Sequence, residues 1–131
     1  SLEKYSLEQI IQNLIENISS YTTIQFYTKI NTGGKILGTQ QKLLVMRIVQ
    51  ESITNCIKYS KADNLWIHIE VIRSRLFLQI KDDGEGCKDL VKGLGLTSME
   101  ERIQKVNGNI CFNTSPGQGF LMRCDFFLEE E

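Results

Sequence analysis

Proline is nearly missing from this 131-residue chain, which carries one, at Pro116, and histidine occurs once, at His68. With so little proline, no helix or strand before Pro116 is broken by a proline. The lone histidine and four cysteines (Cys56, Cys87, Cys111 and Cys124), with no CxxC pair, do not make a zinc site. An excess of either charge is missing too: 15 Lys and Arg face 16 Asp and Glu, a net charge of −1. No basic surplus exists to grip a phosphate backbone, so no nucleic-acid partner is expected. No apolar run approaches the roughly 18 residues that cross a bilayer, and no signal peptide opens the chain. A cytoplasmic setting with reduced thiols is the expectation.

What is present has the balance of a globular protein, 41% apolar and 24% charged. The length suits one domain over residues 1–131. The chain opens at Ser1 without a methionine, and we expect a piece of something longer.

Ser6 and Gln9 have capping-box spacing, and Leu7, Ile10, Ile11, Leu14 and Ile18 follow at helical intervals. Thr23 to Ile30 alternates as a strand and ends in Asn31-Thr32-Gly33-Gly34, which is turn chemistry. Thr39 to about Tyr59 is predicted as one long helix. Leu65 to Ile72 and Leu76 to Asp82 alternate with a period of two and are joined by a turn short enough for a hairpin. Residues 84–95 form the one long irregular stretch. A third helix carries Leu96, Met99, Ile103 and Val106 on one stripe, stopped by Gly108. Ile110 to Thr114 and Phe120 to Leu128 are the last strands. The order α-β-α-β-β-α-β-β predicts an α+β, two-layer sandwich: a mixed, mainly antiparallel five-stranded sheet with three helices on one face.

Three places suit chemistry. On the long helix, Glu51, Asn55, Lys58 and Tyr59 fall at i, i+4, i+7 and i+8 and share a face. An amide oxygen is a hard ligand for Mg²⁺ and a lysine is a point charge for phosphate, although a solvated helix face carries the same mixture. At a strand end, Asp82 points with Leu76, Leu78 and Ile80 towards the covered face. A carboxylate there costs roughly several kcal/mol unless donors satisfy it, whether a ligand amine or N–H groups of the adjoining turn. Finally, Gly84-Glu85-Gly86 and Gly93-Leu94-Gly95-Leu96 precede a helix, where backbone N–H groups and the helix dipole favour an anion. The glycines fit neither GxGxxG nor a P-loop.

Together these segments resemble the ATP-binding domain of the gyrase, chaperone, histidine-kinase and mismatch-repair superfamily, the Bergerat fold. Arg47 to Ser60 resembles its N box, Asp82-Asp83-Gly84-Glu85-Gly86 its DxGxG box, and Gly93 to Ile103 its second glycine box. The GLxxMxER ending and the turn Ser115-Pro116-Gly117-Gln118-Gly119 are similar to sensor histidine kinases related to nitrate and membrane-fluidity sensors. The resemblance covers residues 6–128. It implies that Asp82 accepts a hydrogen bond from the adenine amine, that Asn55 ligates Mg²⁺, and that Lys58 contacts phosphate with Tyr59 near the nucleotide. Gly84 and Gly86 would allow close approach at the adenine side. Gly93, Gly95 and Leu96 would form the hinge and helix start beside the phosphates, with Cys87 to Lys92 as the ATP lid. In the superfamily's ATPases the residue matching Glu51 activates water, which makes Glu51 a catalytic candidate. Two positions depart from the branch: Tyr59 stands where His is usual, and Phe120 where Thr is usual.

The implied function is transfer of the γ-phosphoryl of Mg-ATP to a histidine on a dimerisation domain, for relay to a response regulator. His68, alternating with apolar strand residues, does not fit as the acceptor. The fragment is expected to be a monomer, and the parent a homodimer with a possible membrane anchor. A serine kinase antagonising a sigma factor, or a non-catalytic nucleotide-sensing or protein-binding module, would use the same fold.

Overall fold

Ser6 starts the first helix as the sequence predicts: its Oγ accepts from the Gln9 N–H at 3.2 Å while Gln9 Oε1 accepts from the Ser6 N–H at 2.8 Å. The structure is a computed structural model and describes residues 2–86 and 95–129. After a short 3₁₀ turn at Leu2–Lys4 come α1 (Leu7–Ser19), β1 (Gln25–Asn31) and α2 (Thr39–Asn55). They are followed by β2 (Asn64–Ile72), β3 (Arg75–Asp82), α3 (Leu96–Gln104), β4 (Asn109–Thr114) and β5 (Phe120–Phe127).

The strands form one sheet in the order β1-β2-β3-β5-β4. Only β1 and β2 run parallel; the other three pairings are antiparallel, in agreement with the mixed, mainly antiparallel sheet expected. The parallel pair follows from connectivity, because α2 crosses over between β1 and β2. The period of two decides which face each strand buries. Leu65, Ile67, Ile69, Leu76, Leu78, Ile80, Met122, Cys124 and Phe126 are all buried. They meet Ile11 and Ile15 of α1, Val45, Val49 and Ile53 of α2, and Met99 and Ile103 of α3. Their outward neighbours Trp66, Phe77 and Phe127 remain exposed. All three helices therefore cover one face.

One expectation needs correcting. The long helix does not run as a regular α-helix to Tyr59: Cys56–Ser60 is wound as a π-turn, closed by Lys61 in the left-handed region (φ 50°). A π-turn holds one more residue than an α-turn, and such insertions frequently mark functional sites. Among the described residues no helix is long and apolar enough to cross a membrane.

The two-faced sheet makes a direct prediction. Ile69→Ala, at a fully buried position, is expected to cost about 2–5 kcal/mol. His68→Ala, one residue away on the open face, should cost less than about 1 kcal/mol. Urea unfolding of both variants checks this, and equal losses would contradict the assigned faces.

Candidate functional site

Strand alternation places Asp82 on the buried face at the last position of β3, where it is 5% exposed. Its burial is matched by donors from two directions. Ser60 Oγ donates to Oδ2 at 2.9 Å, and the Gly84 N–H donates to Oδ1 at 2.9 Å. The turn thus supplies one of the two donor types foreseen, and the serine supplies a second that sequence reasoning did not name. The signal for it was available: Ser60 closes the N-box-like segment and stands four residues from Cys56, on the same helical stripe. Each carboxylate oxygen has capacity for about two hydrogen bonds, so acceptor sites remain for a ligand.

Asp82 lies in the wall of a mainly apolar cavity that opens to solvent. Leu65, Ile80 and Met122 of the sheet and Leu96 and Met99 of α3 make the apolar part of the lining. From the α2 side come Ser52, Asn55, Cys56, Tyr59 and Ser60. This stripe is offset from the one predicted. Asn55 and Tyr59 line the cavity, whereas Glu51 and Lys58 do not. The reason is that Cys56, buried to 2% exposure, sets which face of the helix turns inward, and Ser52 and Ser60 stand four residues to either side of it.

Lys58 is exposed on the π-turn. Glu51 is directed elsewhere: a Cβ on Gly95 would stand 2.8 Å from Glu51 Oε2. Gly95 is the N-cap of α3 with φ 78° and no side-chain cap. The Glu51 carboxylate therefore abuts the positive end of that helix, a favourable charge–dipole placement. A second link joins the same helices, since Ser52 Oγ lies 3.7 Å from Met99 Sδ.

The glycines are explained by backbone packing. A side chain at Gly84 would collide with the Ser60 carbonyl, which also accepts from the Glu85 N–H at 2.8 Å. Gly86 (φ 67°) has the same relation to the Ser115 carbonyl, and Gly119 (φ 71°) to that of Asp82. The DxGxG-like loop is thereby clasped between the π-turn and the β4–β5 turn. Gly86 also lines the cavity; Gly84 does not. Gly93 and residues 87–92 lie outside the described residues.

Phe120 reaches the cavity because β5 pairs it directly with Asp82. Its ring packs against Phe112, with centroids 6.0 Å apart. The wall beside the carboxylate is thus apolar where a hydroxyl-bearing residue was usual in the resembling branch.

The neighbouring Asp83 faces outward and plays a structural part. Its Oδ1 accepts from the N–H groups of Asp63 and Asn64, and its Oδ2 from Asn64 Nδ2. These bonds, led by the one from the Asn64 side chain, lower its pKa. The Cys56 thiol, buried and close to the Asp82 charge, is pushed up to about 12 and stays protonated. Cys56, Cys111 and Cys124 are free thiols. Among the described residues no cluster of three His, Cys, Asp or Glu side chains could hold a metal unaided.

The raised Cys56 pKa carries a stability prediction. Unfolded thiols ionise near 9.0, so below that pH both states keep the proton and the contribution is intact. As pH rises from about 9 towards about 12 the unfolded chain loses a proton that the folded chain retains, and stability falls. Urea midpoints at about pH 8 and about pH 10.5 should drop more in wild type than in Cys56→Ala. Equal drops would contradict the buried, carboxylate-facing thiol.

With this geometry established, known proteins supply the context. Residues 40–130 match the family described as histidine kinase-, DNA gyrase B-, and HSP90-like ATPase. The sensor histidine kinase ComP of Bacillus subtilis is 30% identical over 104 residues, covering 74% of this chain and 14% of ComP. The histidine-protein kinase/phosphatase DegS of the same organism is 28% identical over 118 residues, 78% of this chain and 30% of DegS. The chain spans less than a third of either relative. Among solved structures, the histidine kinase AdeS of Acinetobacter baumannii superposes with a TM-score of 0.75 at 17% identity, over 96% of this chain and 66% of that one. A mycobacterial sensor kinase, MprB, gives 0.70 at 15% identity over 97% of each chain. At those identities the structural likeness establishes the fold, and the family match extends over most of the sequence. The chain belongs to the histidine kinase-, DNA gyrase B- and HSP90-like ATPase family.

Proposed function

We propose that this chain is the ATP-binding catalytic domain of a sensor histidine kinase, one domain over residues 1–131 of a longer parent. The observation that carries the reading is Asp82: a buried carboxylate with acceptor capacity to spare, in the wall of a mainly apolar cavity. In this reading Asp82 accepts a hydrogen bond from the adenine amine while Leu65, Ile80, Met122 and Phe120 exclude water from the ring. Tyr59 borders the nucleotide from the π-turn, and Gly86 and Leu96 contribute wall. Gly84 acts by making the turn that satisfies Asp82. Gly95 lets α3 begin beside the phosphates, where its N-terminal N–H groups favour negative charge.

The donor set suits Mg²⁺ arriving with the nucleotide. One amide oxygen, Asn55, lines the cavity, and Mg²⁺ typically keeps waters and substrate phosphates as its other ligands. When bound, the ion would neutralise phosphate charge during transfer. Lys58, exposed on the same turn, supplies a positive charge towards the phosphates. Glu51 acts as a positioning residue by holding the start of α3, rather than as a base. Transfer goes to a histidine on the parent's dimerisation domain, and a response regulator takes the phosphoryl group from there. The naming of the relatives as sensor histidine kinases supports this over a serine kinase or a non-catalytic module. We place the domain in the cytoplasm, monomeric as a fragment and dimeric in its parent.

Calorimetric titration with ADP and a non-hydrolysable ATP analogue tests the reading. Wild type should bind both saturably, and Asp82→Asn, folded by circular dichroism, should bind at least about tenfold more weakly, the loss of one charge-assisted hydrogen bond. Asn55→Ala should retain metal-free ADP binding and lose the gain that Mg²⁺ gives wild type. Folded wild type that binds neither nucleotide would overturn the proposal.

A further inference from the structure

Because the helices share one face, the described residues leave the opposite face of the sheet uncovered, and strand register lays its side chains in rows. Tyr27, Trp66, Lys81 and Leu121 make one row; Lys29, His68, Gln79 and Arg123 make the next. Tyr27 and Trp66 are 48% and 40% exposed, with rings stacked 5.6 Å apart. Lys29, Lys81 and Arg123 are exposed, and no ion pair among the described residues takes any of them. Arg123 commits one N–H, from Nε to Gln79 Oε1 at 3.0 Å. Neither row contains a carboxylate. Acids flank the two rows: Asp83, already bonded to Asp63 and Asn64, lies beyond Lys81, and Glu70 and Asp125 lie in the row on the other side, with Asp125 already held by Arg75. A chain of net charge −1 thus gathers around an aromatic pair three cations that no ion pair among the described residues takes, on a face that its described helices leave uncovered.

We infer that this half of the open face docks an acidic protein segment, one carrying Asp or Glu side chains on either side of an aromatic or aliphatic anchor. Exposed aromatics are enriched at interface centres and charges belong to the rim around them, where charge complementarity selects the partner's sign. A second copy fits poorly, because a twofold pairing of this face would set its cations against their own equivalents. Single-stranded nucleic acid fits poorly as well. The Tyr27 and Trp66 rings stack on each other instead of lying open to bases, and Glu70 and Asp125 oppose a longer phosphate track.

Trp66 is the only tryptophan, so its fluorescence reports occupancy directly. The probe is a short, tryptophan-free peptide alternating Glu with Leu and Phe. It should shift Trp66 emission saturably, and its affinity should fall about tenfold or more between about 0.05 M and about 0.5 M salt. The double variant Lys29→Glu, Lys81→Glu should abolish the response, with its fold checked by circular dichroism. The same peptide with Lys in place of Glu should give none with wild type. The inference is overturned if the acidic peptide leaves Trp66 unmoved, or if the lysine peptide binds equally. Tighter binding by oligouridine or phosphatidylglycerol vesicles, or self-association through this face in sedimentation, would overturn it too.

Discussion

The site depends on one buried charge. The side-chain period of β3 puts Asp82 on the apolar face, and an ionised carboxylate persists there only if donors meet it. Two do, the Ser60 hydroxyl and the Gly84 N–H. Each donor imposes a condition on the chain around it. Ser60 must arrive at the end of a π-turn, and Gly84 must lack a side chain because the Ser60 carbonyl lies against it. One acid thereby couples the end of α2, the end of β3 and the glycine loop. Burial, reinforced by the same carboxylate, keeps the Cys56 thiol in its protonated form.

Through that coupling the cavity acquires its walls. Gly86 is pressed against the β4–β5 turn and Gly119 against the Asp82 carbonyl, so two hairpin ends and a helix end close around one volume. Phe120, opposite Asp82 in the sheet, gives that volume an apolar side next to its charge. The third helix joins from the other direction, through Leu96 and Met99 in the lining and through Glu51 at Gly95. The arrangement sets two features side by side: a mainly apolar cavity around a single buried acceptor, and a helix start whose positive end meets the Glu51 carboxylate.

Much of this was legible in the sequence, for reasons specific to each element. The Ser6 capping box, the alternation of β2 and β3, and the inward turn of Asp82 follow from local rules that the tertiary structure leaves intact. Helix and strand ends moved by a residue or two, as fraying ends do. The π-turn was not legible. Residues 56–60 read as ordinary helix, and the extra residue is accommodated by Ser60 reaching Asp82, a contact 22 positions apart in sequence. The cavity stripe lies away from Glu51 and Lys58 because the buried Cys56 turns Ser52 and Ser60, four residues to either side of it, inward. Nor could spacing reveal that Gly84 and Gly86 make room for backbone of the chain itself, since a glycine's neighbours are a property of the assembled fold.

In the function we propose, Asp82, already satisfied but not saturated, accepts from a nucleotide base. The deciding experiment is a crystal structure of the chain with ADP and Mg²⁺. The adenine ring should lie between Phe120 and the α2 side of the cavity, its amine within hydrogen-bond distance of an Asp82 oxygen, with the Ser60 and Gly84 bonds retained. A base bound outside the cavity, with Asp82 still paired only to Ser60 and Gly84, would contradict it.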